Sequence, residues 1–272
     1  MKKNKKSSKK TTTTTTTTIV TTTTTVDKNL DTHYLLVLDR SGSMSSCWTS
    51  TINGLNEQLG TIRALEEKYP EQKYFITLVA FDSEIETIIE DTPISKVEDF
   101  DGTEFPPRGM TALHDAMGIS ITNLKVKLAK KDKESDSIST ALVVVMTDGD
   151  ENNSREYNAD SIKKMIDELD ATDAWTFSYM GANQDAVLTA KSFGIGAGNS
   201  VNYSSTVRGA SMANTTLSKA IGARAFASNM SYTSAVASGE AVTLNSLNLD
   251  NSNFLSEVVD GDTIGEDDTD NN

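Results

Sequence analysis

The chain has 272 residues, and its 25 Lys+Arg against 39 Asp+Glu give a net charge of −14 that is unevenly spread. Residues 1–10 hold six lysines and residues 250–272 hold eight acids and no base, so the body between them stands at −12, a sign that repels phosphate backbones and argues against nucleic-acid binding. A single cysteine (Cys47) and two histidines (His33, His114) exclude an internal disulfide, a cysteine-based zinc cluster and a His-rich metal site.

Residues 11–25 contain 13 threonines in 15 positions and cannot bury apolar surface, so residues 1–30 are expected to be a disordered Lys/Thr-rich leader. No stretch approaches the roughly 20 apolar residues of a membrane span, and the lysines run into threonines without the apolar segment of a signal peptide. The expectation is a cytoplasmic protein.

From residue 33 the apolar periodicity alternates between strand and helix. HYLLVLD (33–39) has buried-strand length and ends in the turn chemistry of Ser41-Gly42-Ser43. Trp48, Ile52, Leu55, Leu59, Ile62, Leu65 and Tyr69 follow at steps of three and four, one helix face that Pro70 ends. Residues 73–82 and 84–90 read as strands joined by a tight turn at Asp82-Ser83, hence antiparallel neighbours at a sheet edge. Leu113, Met117, Ile121, Leu124 and Leu128 mark a second helix, and ALVVVMT (141–147) a central strand. A helix through Ile162 and Leu169, a strand at 175–180, a helix through Ala186 and Phe193, and a short strand at 200–203 come next. A helix capped by Thr206 completes the pattern, loosely apolar and rich in small residues. Such alternation predicts an α/β fold: a Rossmann-like three-layer sandwich, its sheet mostly parallel with one antiparallel edge strand, helices on both faces. The folded domain is expected over 31–230, with a Ser/Asn-rich, acidic and disordered tail over 231–272.

Ligands of such sheets bind at the carboxyl ends of the strands, where the strand order reverses. Three polar clusters fall there: Asp39-Arg40-Ser41-Gly42-Ser43, Gly109-Met110-Thr111 and Thr147-Asp148-Gly149. All offer oxygen and none offers sulfur or imidazole, which suits a hard cation such as Mg²⁺ or Mn²⁺. The hydroxyls of Ser41, Ser43 and Thr111, with waters held by Asp39 and Asp148, leave one coordination position open. Each signal alone has a bland reading: a Ser-rich turn, a helix N-cap at Thr111, a strand-end turn at Asp148.

Taken together, these residues resemble the metal-ion-dependent adhesion site of von Willebrand factor type A domains, Asp-x-Ser-x-Ser followed by a distant Thr and a distant Asp. The stretches DRSGSM, FPPRGMTALHDAMG, MTDGDENNSREY and YMGANQDA resemble a bacterial and phage subgroup of that family. The resemblance implies that Ser41 and Ser43 bind the metal directly, Thr111 directly or through water, and Asp39 and Asp148 mostly through water. It implies a non-enzymatic protein-interaction module whose metal takes an Asp or Glu of a partner, with an AAA+ ATPase as one candidate partner.

Two other readings stay open: a metal-dependent phosphohydrolase with Asp39 as nucleophile, against which Ser41 stands where a second acid belongs, and a phage virion or surface-displayed component. Dinucleotide binding is rejected, because SGSMSS lacks the glycine pattern that admits a pyrophosphate. Arg40 is expected beside the metal and, with Arg108, to offset Asp150 and Glu151, taken as exposed rim charges. Asp82 is assigned to turn chemistry, His114 and Cys47 to structural packing, and Asn183 to a helix cap.

Overall fold

A computed structural model describes residues 29–134, 137–182, 186–247, 249 and 251–255. The Lys/Thr leader up to residue 28, the acidic end from residue 256 and the cap assigned to Asn183 lie outside them. Eleven main elements follow the expected alternation: β1 (Leu30–Asp39), α1 (Trp48–Lys68), β2 (Gln72–Phe81), β3 (Ile85–Pro93), α2 (Leu113–Glu134), β4 (Ile138–Thr147), α3 (Ala159–Asp170), β5 (Trp175–Ala182), α4 (Ala186–Ser192), β6 (Ser200–Tyr203) and α5 (Val207–Ser238).

The strands form one six-stranded sheet in the order β3-β2-β1-β4-β5-β6. Every pairing is parallel except β2 with β3, the hairpin at one edge. Strands β1 and β4 are the middle pair, covered on both faces, which is why both read as continuous apolar runs. Alternate residues of β1 feed opposite layers. Tyr34, Leu36 and Leu38 pack with Leu55, Leu59 and Ile62 of α1 and Leu217 of α5. Leu35 and Val37 pack with Met117 and Ile121 of α2 and Ile166 of α3. A one-residue slip of β1 would exchange the two layers, so its register is strongly specified.

Helices α1 and α5 lie close because Gly54 of α1 leaves room for the Asn214 side chain of α5. A methyl group at Gly54 would fall 2.2 Å from the Asn214 side chain. The contact is also polar: Tyr34 donates its hydroxyl to Gln58 Oε1 at 2.6 Å, and Gln58 Nε2 donates to Asn214 Oδ1. These buried groups are satisfied by one another, so the layer tolerates their polarity.

The expected boundary at residue 230 requires correction. Helix α5 runs on to Ser238 and ends at Gly239, whose φ of +72° makes the left-handed stop that glycine adopts without strain. Beyond it Val242, Leu247, Phe254 and Leu255 are buried, so the described residues after 230 belong to the fold. The helix escaped the periodicity reading because its end is built from Ser, Thr and Ala, with Ala235 its buried residue there.

The chain leaves β1 through α1 for β2 on one side, and returns through α2 to β4 on the other. The order therefore reverses between β1 and β4, and the crevice of the sheet opens at their carboxyl ends, Asp39 and Thr147.

Candidate metal centre

Asp39 ends β1 with its side chain buried in that crevice. Its Oδ1 accepts the Ser41 amide at 2.6 Å, and its Oδ2 accepts the Thr147 hydroxyl at 2.6 Å. Burial pushes the Asp39 carboxyl up to about 6, the hydrogen bonds from Thr147 and Ser41 opposing it and the charge of Asp148 adding to it. The turn that follows carries Ser41 and Ser43, their hydroxyl oxygens 3.0 Å apart. Ser43 donates to Asp148 Oδ1 at 2.6 Å, and Ser205, in the loop after β6, donates to Asp148 Oδ2 at 3.0 Å.

Thr111 arrives from the loop before α2. Its amide donates to Asn152 Oδ1 at 2.9 Å, and the Asn152 amide returns a bond to Thr111 O at 3.0 Å, tying the loops after β3 and β4 together. Gly149 shows how closely the three clusters meet. A methyl group placed on its Cα would lie 3.0 Å from Thr111 Oγ1, 3.6 Å from Ser43 Oγ and 3.7 Å from Asp39 Oδ2. Through these contacts and the bonds of Ser41 and Asp148, the structure brings Asp39, Ser41, Ser43, Thr111 and Asp148 into one cluster.

The loops are held from behind by an ion-pair network. The Arg40 amide donates to Phe81 O at 2.8 Å, the Arg108 amide to Arg40 O at 2.7 Å, and the Gly42 amide to Gly109 O at 3.3 Å. Gly109 has φ +71°, and a methyl there would meet Ser83 Oγ at 3.1 Å. Arg40 does not take the place expected of it. Its side chain is 2% exposed and turned away from the cluster, Nε donating to Asp82 Oδ2 at 2.9 Å and Nη1 to Glu86 Oε2 at 2.7 Å. Arg108 shares Asp82 Oδ2 at 2.8 Å and reaches Glu84 at 2.9 Å. Burial alone would raise the Asp82 carboxyl, but the Arg108 bond, the Glu84 amide and the two guanidinium charges hold it below the usual range. Asp82 is thus more than a turn residue: it anchors both arginines.

Glu151 is also corrected. It is a half-buried loop organiser rather than an exposed rim charge, its carboxylate accepting the amides of His114, Asn153 and Ser154 and the Ser154 hydroxyl at 2.6–2.9 Å. Asp150 is exposed as expected. His114 packs edge-on against Phe193, and Cys47 is buried, both structural. Sequence reasoning missed Thr147 as the brace on Asp39 and Ser205 on Asp148. It also missed Asp115, which accepts the amides of Arg155, Glu156 and Tyr157 at 2.7–2.9 Å. The position of Ser205 after the strand at 200–203 was the available signal, since that loop shares the crevice edge.

The donor chemistry fits a hard cation. Two carboxylates and three hydroxyls converge, and neither Asp39 nor Asp148 has a basic partner among the described residues, so their charge is uncompensated by the protein. No group of three or more His, Cys, Asp or Glu able to hold a metal occurs among the described residues, so a metal here would depend on hydroxyl oxygens. No described helix is long and apolar enough to cross a membrane.

No protein-family model matches the chain, and no curated protein matches it in sequence. Solved structures are similar at low identity. Proximal thread matrix protein 1 from the mussel byssus is 12% identical over 71% of this chain and 46% of its own, with a TM-score of 0.46. The manganese-loaded TRAP protein of Plasmodium vivax is 15% identical over 69% and 72%, TM-score 0.46. The ArnB paralog VWA2 of Sulfolobus acidocaldarius is 21% identical over 68% and 44%, TM-score 0.41. The mussel protein has also been solved with zinc occupying its MIDAS motif. The chain spans about half the length of the mussel and archaeal proteins.

Proposed function

We propose that this chain is a von Willebrand factor A-type interaction module that holds a divalent cation, Mg²⁺ or Mn²⁺, and binds an acidic residue of a protein partner through it. The observation that carries the reading is the meeting of Thr111, Ser43 and Asp39 around Gly149, with Ser41 and Asp148 joined to them through Ser43 and neither carboxylate having a basic partner among the described residues. Ser41, Ser43 and Thr111 would hold the ion by hydroxyl oxygens, and Asp39 and Asp148 would supply the balancing charge. Once bound, the cation supplies an electropositive oxygen-seeking centre that a partner carboxylate can join.

The chain's own residues do the rest. Thr147 and the Ser41 amide orient Asp39, Ser205 orients Asp148, and the Arg40–Asp82 pair holds the loop that carries both serines. Exposed Met110 and Val207 flank the cluster in sequence, next to Thr111 and close after Ser205, and offer apolar contact beside the charged one. An interaction module is preferred to a phosphohydrolase because Ser41 stands two residues after Asp39, where an aspartyl-phosphatase nucleophile would be followed by a second acid.

The test is calorimetry with Mn²⁺ followed by affinity capture of partners with and without EDTA. Saturable metal binding lost in Asp39→Ala and Ser41→Ala, and partners recovered in metal alone, are the expected results. Undiminished metal binding in both variants overturns the site. Equal capture in EDTA overturns the metal-bridged mechanism, and turnover of a phosphate ester that Asp39→Asn removes would favour the hydrolase.

A further inference from the structure

The outward face of α5 carries one sign of charge in a chain that carries the other. Across Val207–Ser238 the helix holds Arg208, Lys219 and Arg224 and no Asp or Glu, although the whole chain stands at −14. Leu217 and Ile221 turn inward to the layer shared with α1. Arg208 and Lys219 are both exposed and stand 11 residues apart, close to three helical turns, so they share the face opposite Leu217.

Phe226 and Met230 continue that face beyond Lys219, and each is 54% exposed. A methyl group on Gly222, between Lys219 and Phe226, would meet nothing within 4 Å, so the stripe is open. One exposed apolar side chain is ordinary, but two at a spacing of four, in line with two cations and no acid, make a mixed basic and apolar surface. It runs about 33 Å from Arg208 to Met230 at the helical rise. Its upper end abuts the candidate metal centre, because Ser205, three residues before Arg208, donates to Asp148 at 3.0 Å. The other flanks of that centre present exposed acids: Glu84 and Glu86 on the hairpin side, where Arg108 is already paired, and Asp150 after β4. An acidic segment leaving the metal is therefore repelled there and drawn along α5.

We propose that this stripe of α5 is the docking face for an acidic segment of the protein partner, the same segment whose carboxylate joins the metal; the proposal rests on the cation-bridged reading above. Further acids of the segment meet Arg208 and Lys219, and an apolar side chain seats against Phe226 and Met230. The helix sets their spacing. Arg208 and Lys219 lie about 16 Å apart along the axis, which an extended segment covers in about five residues, and the apolar residue follows about three further on.

Fluorescence anisotropy of the full chain in Mn²⁺ tests it with two labelled Gly/Ser peptides, one carrying a single Asp, the other adding two Glu and a Leu at those spacings. The second should bind about tenfold tighter, the sum of two exposed ion pairs and a partly buried Leu. Arg208→Gln/Lys219→Gln and, separately, Phe226→Ser/Met230→Ser should each remove about threefold of that advantage. All four side chains are exposed, so the variants should keep the fold and the calorimetric Mn²⁺ affinity. Equal affinity for the two probes, or an advantage that survives both variants, overturns the proposal and leaves the metal centre standing. An advantage that both variants remove but EDTA leaves intact overturns the cation-bridged reading, and with it the shared segment. Dimerisation of the full chain in sedimentation that Phe226→Ser abolishes assigns the face to a second copy. Tighter probe binding in Glu266→Gln/Asp267→Asn/Asp268→Asn assigns it to the chain's own acidic end, and either result overturns the proposal.

Discussion

Ser43 donates its hydroxyl to Asp148 at 2.6 Å although the two stand 105 residues apart. That bond joins the loop after β1 to the loop after β4 across the reversal of strand order, and it places a carboxylate against a hydroxyl at the mouth of the crevice.

Because Asp39 and Asp148 repel each other and no cationic side chain among the described residues pairs with either, divalent metal is expected to stabilise the fold. Adding Mg²⁺ or Mn²⁺ in large excess should raise Tm by several degrees, EDTA should reverse it, and Asp148→Ala should abolish it. A Tm in metal equal to that in EDTA for the unaltered protein contradicts the site.

Gly149 has no room for a side chain without intruding on Thr111. Gly149→Ala puts a methyl 3.0 Å from Thr111 Oγ1 and close to Ser43 and Asp39, so metal affinity should fall at least about tenfold while the fold survives. Gly196→Ala is the control, with nothing within 4 Å of the added carbon. Calorimetric titration of both variants reads the difference.

Arg40 holds the serine-bearing loop through Asp82 and Glu86 from a nearly sealed position. Arg40→Met should cost about 3 kcal/mol in urea unfolding, since it breaks a buried pair, with Arg108 retaining part of the compensation for Asp82. Arg40→Lys should recover only part of this, because one ammonium cannot reproduce the fork that spans both acids.

Asp115 predicts a specific acid sensitivity. Burial would raise its carboxyl, but the amides of Arg155, Tyr157 and Glu156 together outweigh burial and hold it below the usual range. Its stabilisation is therefore complete above the unfolded carboxyl pKa of about 3.9 and is lost as pH falls through the lower folded value. Asp115→Asn should be less stable at neutral pH by about 2 kcal/mol and show a shallower loss below pH ~4. Parallel stability–pH curves for the two proteins would rule the account out.

Local pattern alone determined much of this protein. The apolar spacing of α1 and α2, the continuous runs of β1 and β4 and the tight turn at Asp82 are short-range features, and short-range sterics and burial translate them directly into elements and their order. The five oxygen-bearing residues were legible for the same reason, since each follows a strand or precedes a helix at the crevice edge. Tertiary structure decided which way side chains turn. Arg40 stands between two site residues in sequence, yet the β2–β3 hairpin presents Asp82 in its turn and Glu86 on β3, and charge pairing in a buried position draws the guanidinium there. Ser205 and Thr147 became braces only when loops distant in sequence met. The last turns of α5 had no local signature, because small residues carry no period.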